Sequence, residues 1–191
     1  MRAYVTIIAV FLVISACVPL LTVTTAYWQR DGAFPTLLSF GHRWSRAFLS
    51  ADSCSVEVVL PPSRWTSPSA SRVLRVDYQA LPYTGIIAQD IYPHWAGYRI
   101  LHFDIYSESA QAQRLLLRID DTKYNKRSDD RFNLEIDVNP GENEFKIPLD
   151  EIARGPENRM LDLSSIKRIV LFSASHPRAQ FALYLSDFAL E

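Results

Sequence analysis

Residues 100–121, ILHFDIYSESAQAQRLLLRIDD, contain two stretches in which apolar and polar side chains alternate. In residues 101–106, and again in residues 115–120, every second position is a large apolar side chain. A period of two places alternate side chains on opposite faces of an extended chain, so that one face is buried while the other meets solvent or a partner. These residues therefore predict two β-strands, each with one face in a core.

Strand-like segments continue along most of the chain after residue 54. Two more alternate strictly, five others are short and strand-like in composition, and turn signals such as NPGEN at 139–143 separate them. These seven segments are 133–138, 181–186, 55–60, 72–78, 85–91, 144–147 and 168–173. The only helical candidate in this region is a short segment at 149–154. Many short strands predict an all-β sandwich or barrel rather than alternating β and α units.

Length and composition restrict the class of protein. With 191 residues, of which 48% are hydrophobic and 21% charged, the chain is long enough for one domain with its own core and is not disordered overall. A formal net charge of −1 argues against a nucleic-acid partner held by electrostatic attraction. Two cysteines, Cys17 and Cys54, are too few for a disulfide framework. We therefore expect a globular domain that needs no covalent cross-link.

The N-terminal segment has no charged side chain from Ala3 to Trp28, AYVTIIAVFLVISACVPLLTVTTAYW. As a helix this run would extend about 39 Å, which exceeds the roughly 30 Å of a bilayer core. Tyr4 at one end and Tyr27 with Trp28 at the other match the aromatic belts of a membrane span, and a span tolerates a proline such as Pro19. The sequence thus predicts one N-terminal transmembrane helix.

Three alternatives for this N-terminal segment stay open. They are an uncleaved signal anchor, a cleaved secretory signal, and a lipoprotein signal in which Cys17 of ISAC (14–17) becomes acylated. The length of the apolar run and its continuation after Cys17 favour the signal anchor. The expected organisation is an anchor at 1–30, a juxtamembrane linker at 31–50 and a β domain at 51–191, with the domain periplasmic or otherwise extracytoplasmic.

The segment 94–106, HWAGYRILHFDIY, carries a family resemblance. It looks like the W-x-G-Y-x-x-L-x-F-D-V-Y segment of galactose-binding-like jelly rolls, and RIDD (118–121), DRFN (130–133) and IPL (147–149) follow it in order. Over about residues 50–191 the chain resembles carbohydrate-binding-module-like domains of bacterial envelope proteins and is similar to relatives of complex I intermediate-associated protein. The resemblance implies a two-sheet antiparallel jelly roll, a capacity for sugar binding, and scope for a structural calcium ion held by loop carboxylates.

Two polar segments supply side chains suited to sugars. Sugars stack their C–H faces on aromatic rings, and their hydroxyls bind planar carboxylate, amide and guanidinium groups. We expect both segments to line one groove, in which Trp95 and Tyr124 stack on sugar while Asp130, Arg131 and Asn133 hold hydroxyls. The candidates are Gln89, Asp90, Tyr92, His94 and Trp95 in the first segment and Tyr124, Asn125, Asp130, Arg131 and Asn133 in the second.

A structural interpretation of the second segment stays open beside this hypothesis. In it the segment is a solvated loop, and Arg131 pairs with Asp120 or Asp130 to hold the turn. The loop carboxylates are numerous enough for glycosidase chemistry, which needs two of them, one with a raised pKa. No nucleophile, metalloprotease or phosphate-loop motif is present, however, and the four histidines are scattered, which indicates no zinc site.

Taken together, these patterns predict a membrane-anchored, non-catalytic binding module that recognises carbohydrate in the cell envelope. The alternative is a scaffold domain that binds a protein partner at the membrane, and a glycoside hydrolase is a third, less favoured class. No cofactor and no nucleic-acid partner are expected.

Overall fold

The computed structural model describes residues 2–66, 68, 70–173 and 179–191, and for residues 2–14, 16 and 17 it describes the backbone alone. Within these residues, twelve strands form one seven-stranded and one five-stranded antiparallel sheet. The strands are β1 (Thr36–Leu38), β2 (Leu49–Asp52), β3 (Cys54–Val59), β4 (Val73–Tyr78), β5 (Gly85–Gln89), β6 (Ile100–Ser107), β7 (Gln113–Asp121), β8 (Phe132–Val138), β9 (Gly141–Pro148), β10 (Ile166–Ser173), β11 (Phe181–Leu185) and β12 (Phe188–Leu190).

The two sheets are built from strands that are distant in sequence. The seven-stranded sheet has the order β1-β12-β6-β11-β4-β3, and β9 also pairs with β6 along its whole length. The five-stranded sheet has the order β2-β5-β10-β7-β8. All nine strands expected from the alternation are present, and the helical candidate is helix α2 (Leu149–Ala153). The predicted antiparallel β-sandwich of jelly-roll type is thus confirmed.

The core lies between the two sheets and contains the apolar half of each alternating strand. On β6, Leu101, Phe103 and Ile105 are fully buried, and on β7 the same is true of Leu115 and Leu117. These residues belong to one continuous cluster with contributions from both sheets. Because burial of each such side chain contributes about 1.5–3 kcal/mol, this cluster explains why the domain needs no disulfide.

The expected linker at 31–50 is wrong, because most of this segment belongs to the sandwich. β1 pairs with β12 in one sheet, and β2 pairs with β5 in the other. A 3-10 helix (Arg43–Phe48) connects them, and Leu37, Leu38 and Phe40 are buried in the core. The β domain therefore begins at about Thr36 rather than at residue 51. β1 and β2 have three and four residues, which is too short for a period of two to be recognised.

The N-terminal helix α1 (Arg2–Ala33) includes the segment expected to span a membrane. The side chains of Ala3, Tyr4 and Cys17 lie outside the described residues. A search of the described residues finds no helix with the length and apolar character needed to cross a bilayer. Farther along the helix, Pro19 and Trp28 are exposed, whereas Ala26 is buried against the 3-10 helix.

Gly85 lies at a close approach between β5 and β10 of the five-stranded sheet. It lies directly opposite Phe172 in the pairing of β5 with β10. A Cβ atom at this position would lie 2.2 Å from the backbone oxygen of Leu171 and 2.6 Å from the Cα of Phe172. Since both of these are backbone atoms, no side-chain rotation can relieve the contact, and only glycine fits.

Candidate functional site on the five-stranded sheet

The outer face of the five-stranded sheet displays the polar half of its alternating strands. Arg118 of β7 lies opposite Asn133 of β8 and Val170 of β10. One row along, Arg168 of β10 lies opposite Asp120 on one side and Gln89 of β5 on the other. We call this surface the arginine–tyrosine face and define it by Gln89, Arg118, Asp120, Tyr124, Arg131, Asn133 and Arg168. Strand pairing thus brings together residues from both predicted sugar-binding segments.

Asp120 is the fixed centre of this face. Its carboxylate has no solvent exposure and accepts hydrogen bonds from Arg118 Nε at 2.9 Å and Arg118 Nη2 at 2.8 Å. Arg168 also donates from Nε to Oδ2 of the same carboxylate. Two guanidinium groups share one buried acid, so the unit retains a net positive charge and both arginine planes are held in place.

Tyr124 covers these arginines. The guanidinium carbon of Arg118 lies 4.9 Å from the centre of the tyrosine ring, and that of Arg168 lies 5.6 Å from it. Arg131 is 5.9 Å from the same ring centre and donates a hydrogen bond from Nη1 to the tyrosine hydroxyl at 3.1 Å. Cation–π contacts of this kind hold a half-buried ring in one orientation. The ring is therefore a rigid aromatic platform at one side of the sheet.

A second aromatic ring lies along the same face, beyond an apolar strip. Leu116 and Phe172 are opposite each other on β7 and β10, and both are partly exposed. Tyr83, just before β5, is 67% exposed, and its ring centre is 6.0 Å from that of Phe172. The face thus presents two tyrosine rings with apolar and guanidinium surface between them.

Three predicted residues other than Tyr124 belong to this face. Arg131 donates from Nε to Asn133 Oδ1 at 2.9 Å, which fixes the two side chains relative to each other and to Tyr124. Gln89 is exposed and in register with Arg168. Hydrogen-bonding groups of the types expected for sugar hydroxyls therefore lie beside the Tyr124 ring and farther along the face.

The prediction that Trp95 stacks on sugar is wrong. Its side chain is 0% exposed and belongs to the main core cluster. The indole Nε1 donates to the backbone oxygen of Tyr92 at 2.9 Å, which satisfies its only polar atom. A tryptophan with no accessible face serves the packing at this end of the sandwich and cannot contact a ligand.

Asp90 and Tyr92 contact the end of the N-terminal helix and the segment that follows it. The ring of Tyr92 packs on Phe34 with centres 4.0 Å apart, and the neighbouring His94 ring lies 5.8 Å from that of Tyr92. The backbone oxygen of Asp90 accepts a hydrogen bond from Arg30 of α1 at 2.6 Å. Tyr92 is therefore engaged with the N-terminal segment rather than with Tyr124, whereas a role of the exposed Asp90 side chain in sugar binding stays a prediction.

Asp130 is engaged inside the protein by Arg159. The guanidinium of Arg159 donates to Asp130, and it donates to both carboxylate oxygens of the fully buried Asp121, at 2.5 and 2.9 Å. The Asn125 backbone N–H also donates to Asp130 at 2.8 Å, so the exposed Asn125 is held in the same turn. The hydrogen bond from Arg159, followed by that from the Asn125 amide, holds the pKa of Asp130 below its usual range.

The arginine that holds this turn is thus Arg159, and the expected pairing of Arg131 with Asp120 or Asp130 is wrong. The same contacts bear on the calcium expected from loop carboxylates. Asp121 and Asp130 converge on a guanidinium, which supplies the positive charge, so this pair does not fit a calcium ion. Calcium at other loop carboxylates stays a prediction.

Sequence reasoning missed Arg118 and Arg168 of this face, and it missed Phe172 and Tyr83 in the apolar strip and second ring beside it. The two arginines occupy outward positions of their strands, and the alternation of apolar and polar residues in the sequence indicates this. Their convergence depends on the pairing of β7 with β10, which are more than forty residues apart, and no local pattern reveals it. A cleft of about 680 Å³ lies elsewhere, between α1 and the 3-10 helix, and Trp28 and His42 are among its lining residues. The arginine–tyrosine face is an open sheet surface rather than a closed pocket.

Comparison with known proteins supports the architecture. No family model matches the sequence, and no curated protein matches it. Among solved structures, a family 11 carbohydrate-binding module from Clostridium thermocellum, determined with a β-1,3-1,4-mixed-linked tetrasaccharide, aligns with a TM-score of 0.56 and 16% identity. The alignment covers 75% of this chain and 88% of that module.

A structure of an exo-β-agarase aligns with a TM-score of 0.64 and 18% identity over 82% of this chain, but the matched region is only 24% of the agarase. A second agarase, AgWH50C, aligns with a TM-score of 0.58 and 17% identity over 82% of this chain and 26% of its own. At these identities the likeness establishes the jelly-roll fold that this chain shares with carbohydrate-binding modules.

Proposed function

We propose that this protein is a non-catalytic carbohydrate-binding module whose ligand lies across the arginine–tyrosine face. The observation that carries the proposal is the Tyr124 ring, held by three arginines and followed along the sheet by an apolar strip and the exposed Tyr83. The C–H faces of successive sugar residues stack on the two rings. Arg131 and Asn133 beside Tyr124, with Gln89 farther along, bind hydroxyl groups.

Rigidity favours binding to this face. The buried Asp120 carboxylate fixes two guanidinium groups, and these fix the ring that covers them. Because the side chains are ordered before the ligand arrives, little conformational entropy is lost on binding. The shared fold with a module determined in complex with a β-1,3-1,4-mixed-linked tetrasaccharide supports a glycan as the ligand class.

The carboxylates near the face suit binding rather than hydrolysis. A glycosidase needs one carboxyl group with a raised pKa as its general acid. Hydrogen bonds from Arg159 hold the pKa of Asp130 below its usual range, and those from Arg127 do the same for Asp129. Asp120 and Asp121 are buried beneath arginines. The agarase alignments fit this proposal, because they cover about a quarter of each enzyme.

We also propose that residues 3–28 anchor the module in a membrane and that the module is extracytoplasmic. The support is the uncharged run between Ala3 and Trp28 with aromatic residues at both ends. We expect the protein to remain in the membrane fraction after alkaline washing and to leave it when Leu12 and Val13 are both replaced by arginine. Retention that is lost in Cys17→Ser would instead identify a lipoprotein.

A protein partner is the second candidate for the same face. The observation that favours it is the pair of exposed apolar side chains Leu81 and Tyr83 at the edge of the face. A specific protein interface would cover roughly 800 Å² of the surface of this protein. It would extend over Leu81, whereas a glycan chain running between the tyrosines would leave this leucine free. Replacement of Leu81 therefore separates the two functions.

The test is affinity electrophoresis of the full chain in gels containing mixed-linked β-glucan, agarose, xylan or peptidoglycan fragments. We expect retardation by at least one glycan, weakened roughly tenfold in Tyr124→Ala and in Tyr83→Ala, as for a loss of about 1.4 kcal/mol. Trp28→Ala removes an exposed ring elsewhere and should leave the retardation unchanged. Equal retardation of all four proteins, or none by any glycan, would reject the proposed function.

A further inference from the structure

A mixed cluster of metal-binding side chains lies on the outer face of the other sheet. His102 and Asp104 occupy outward positions of β6, and Glu144 lies opposite Asp104 on β9. His102 Nε2 is 3.2 Å from Asp104 Oδ1 and 3.4 Å from Glu144 Oε1. One ligand atom from each of the three residues lies within 4.8 Å of the other two. The period of two thus aligns a nitrogen and two oxygen donors toward one point.

The imidazole nitrogen at this point contacts two carboxylates but has no hydrogen bond of good geometry. His102 Nε2 is inaccessible to solvent and makes no hydrogen bond, although it lies close to two carboxylate oxygens. Buried polar atoms are nearly always satisfied by well-aligned hydrogen bonds, so this imperfect arrangement leaves room for another ligand. A ligand between the nitrogen and the two carboxylates would satisfy that nitrogen.

The other ring nitrogen of His102, Nδ1, contacts the carboxylate of Glu191. His102 Nδ1 lies 3.0 Å from Glu191 Oε1, within hydrogen-bond distance. In metal sites, a carboxylate commonly binds the second ring nitrogen of a histidine ligand, which orients the ring and directs the lone pair of the other nitrogen to the metal. Glu191 occupies that supporting position.

We propose that His102, Asp104 and Glu144 bind a divalent first-row transition-metal ion, for which Zn²⁺ is the fitting probe. Zinc bonds to histidine nitrogen and carboxylate oxygen are about 2.0–2.1 Å, so neighbouring ligands of a tetrahedral ion are about 3.3–3.4 Å apart. The separations of 3.2 and 3.4 Å from Nε2 to the two carboxylates match this edge. Calcium prefers six to eight oxygen ligands and does not suit this donor set. Water completes the coordination on the exposed side.

Lys146 is the competing cation at this site. Its Nζ lies 2.6 Å from the same Glu144 oxygen that faces His102. Both side chains are exposed, so the lysine can move away when a divalent ion binds. The carboxylates of Asp104, Glu144 and Glu191 against this single ammonium leave the cluster with an excess of negative charge, which favours a cation. The Ser186 hydroxyl, 3.4 Å from Asp104 Oδ2, faces the cluster as well.

The proposed metal site is independent of the proposed glycan site. His102 belongs to the outer face of the seven-stranded sheet, whereas Tyr124 covers the outer face of the five-stranded sheet. The core lies between them. A metal site that fails its test leaves the glycan proposal untouched, and the converse holds.

The experiment is titration of the full chain, purified without a polyhistidine tag, with ZnCl₂ by calorimetry and equilibrium dialysis. We expect one saturable site, at least a tenfold loss of affinity in His102→Gln and in Glu144→Gln, and no change in His94→Gln, which removes an exposed histidine elsewhere. Lys146→Gln should bind at least threefold more tightly. Substitution with Co²⁺ should give visible absorption that His102→Gln lacks, and Ca²⁺ should not compete.

Two outcomes would overturn the site. Equal zinc binding by the wild type and a folded His102→Gln variant would assign the ion to other groups. No saturable uptake by the wild type or by Lys146→Gln would show that His102 pairs with the carboxylates without a metal ion. Circular dichroism of each variant confirms that lost binding does not reflect lost folding.

Discussion

Asp120 and Arg168 face each other on neighbouring strands β7 and β10, and the arginine Nε donates to a carboxylate that has no solvent exposure. Arg118 occupies the other side of the same acid. One buried aspartate thus organises two guanidinium groups and, through them, the Tyr124 ring. The stability of the sheet and the shape of the proposed glycan site both depend on the Asp120 carboxylate. We therefore expect its loss to impair both.

Replacement of Asp120 by asparagine tests this dependence. The change leaves two arginines without their acid, and we expect a loss of about 3 kcal/mol in the free energy of unfolding, at the low end for a broken buried pair because both guanidiniums keep some exposure. Urea denaturation measures it. Asp137→Asn breaks the exposed pair with Arg114 on the same sheet and should have little effect. Equal losses in both variants would contradict the central position of Asp120.

Trp95→Ala distinguishes a packing role from a ligand-binding one. Removal of a fully buried tryptophan should lower the free energy of unfolding by about 3–5 kcal/mol. The affinity of the remaining folded protein for glycan should equal that of the wild type, since the indole contacts no solvent. Trp28→Ala, at a residue 76% exposed, is the matched control and should alter neither quantity. Weaker glycan binding by folded Trp95→Ala would restore the tryptophan to the site.

Gly85→Ala should destabilise the sheet without touching any functional group. The added methyl would meet the backbone of Leu171 and Phe172, so the two strands must separate, and overpacking of this kind costs about 1–3 kcal/mol. Thermal unfolding of the variant should therefore begin at a lower temperature. At Gly32, in the N-terminal helix, an added Cβ meets nothing within 4 Å, and Gly32→Ala should be neutral or slightly stabilising. A neutral Gly85→Ala would mean that β5 and β10 are farther apart than described.

The turn held by Arg159 predicts an acid-sensitive contribution to stability. Asp130 has its pKa lowered in the folded protein, chiefly by Arg159, so its contribution is complete above the unfolded pKa near 4 and is lost as the pH falls through the folded value. The free energy of unfolding of the wild type should therefore drop between pH 5 and pH 2. In Arg159→Gln this drop should be smaller, since the main cause of the shift is gone.

Urea titrations at successive pH values measure this difference. Lys167→Gln removes one exposed positive charge elsewhere and should keep the wild-type slope. Burial raises the pKa of Asp187, and that carboxyl acts in the opposite sense, but it is common to all three proteins and cancels in the comparison. Parallel slopes for the wild type and Arg159→Gln would exclude Arg159 as the partner that matters.

The fold was largely predictable, because the alternation of apolar and polar side chains is a local property of the sequence. It indicates which half of each strand is buried. Leu101, Phe103 and Ile105 were expected to be buried and are. The position of an individual ring is different, since it depends on the tertiary environment. Trp95 and Tyr124 are both aromatic residues in polar loops, yet one fills the core and the other lies on a sheet face. Nothing in their immediate neighbours distinguishes them.

The ion pairs also show that contacts set by the tertiary structure could not be predicted from local sequence. The sequence offers four aspartates between 120 and 130, and local reasoning assigned Arg131 to hold them. Two of the arginines that do so are local, Arg118 and Arg127. The other two, Arg159 and Arg168, come from segments 29 to 48 residues away. Pairing between distant residues follows from the topology of the sheets, so the acid side of each contact could be anticipated while its basic partner could not.

The junction between α1 and the sandwich decides how the module would be presented. The helix continues unbroken to Ala33, and Arg30 ties it to the loop at Asp90 while its guanidinium carbon lies 4.6 Å from the Tyr27 ring centre. Only residues 34 and 35 separate α1 from β1, so no flexible linker lies between the helix and the sandwich. If α1 is the proposed anchor, the sandwich cannot rotate freely relative to it and follows the tilt of the helix. Under the two proposals, glycan chains would be bound at a fixed orientation and close to the membrane surface.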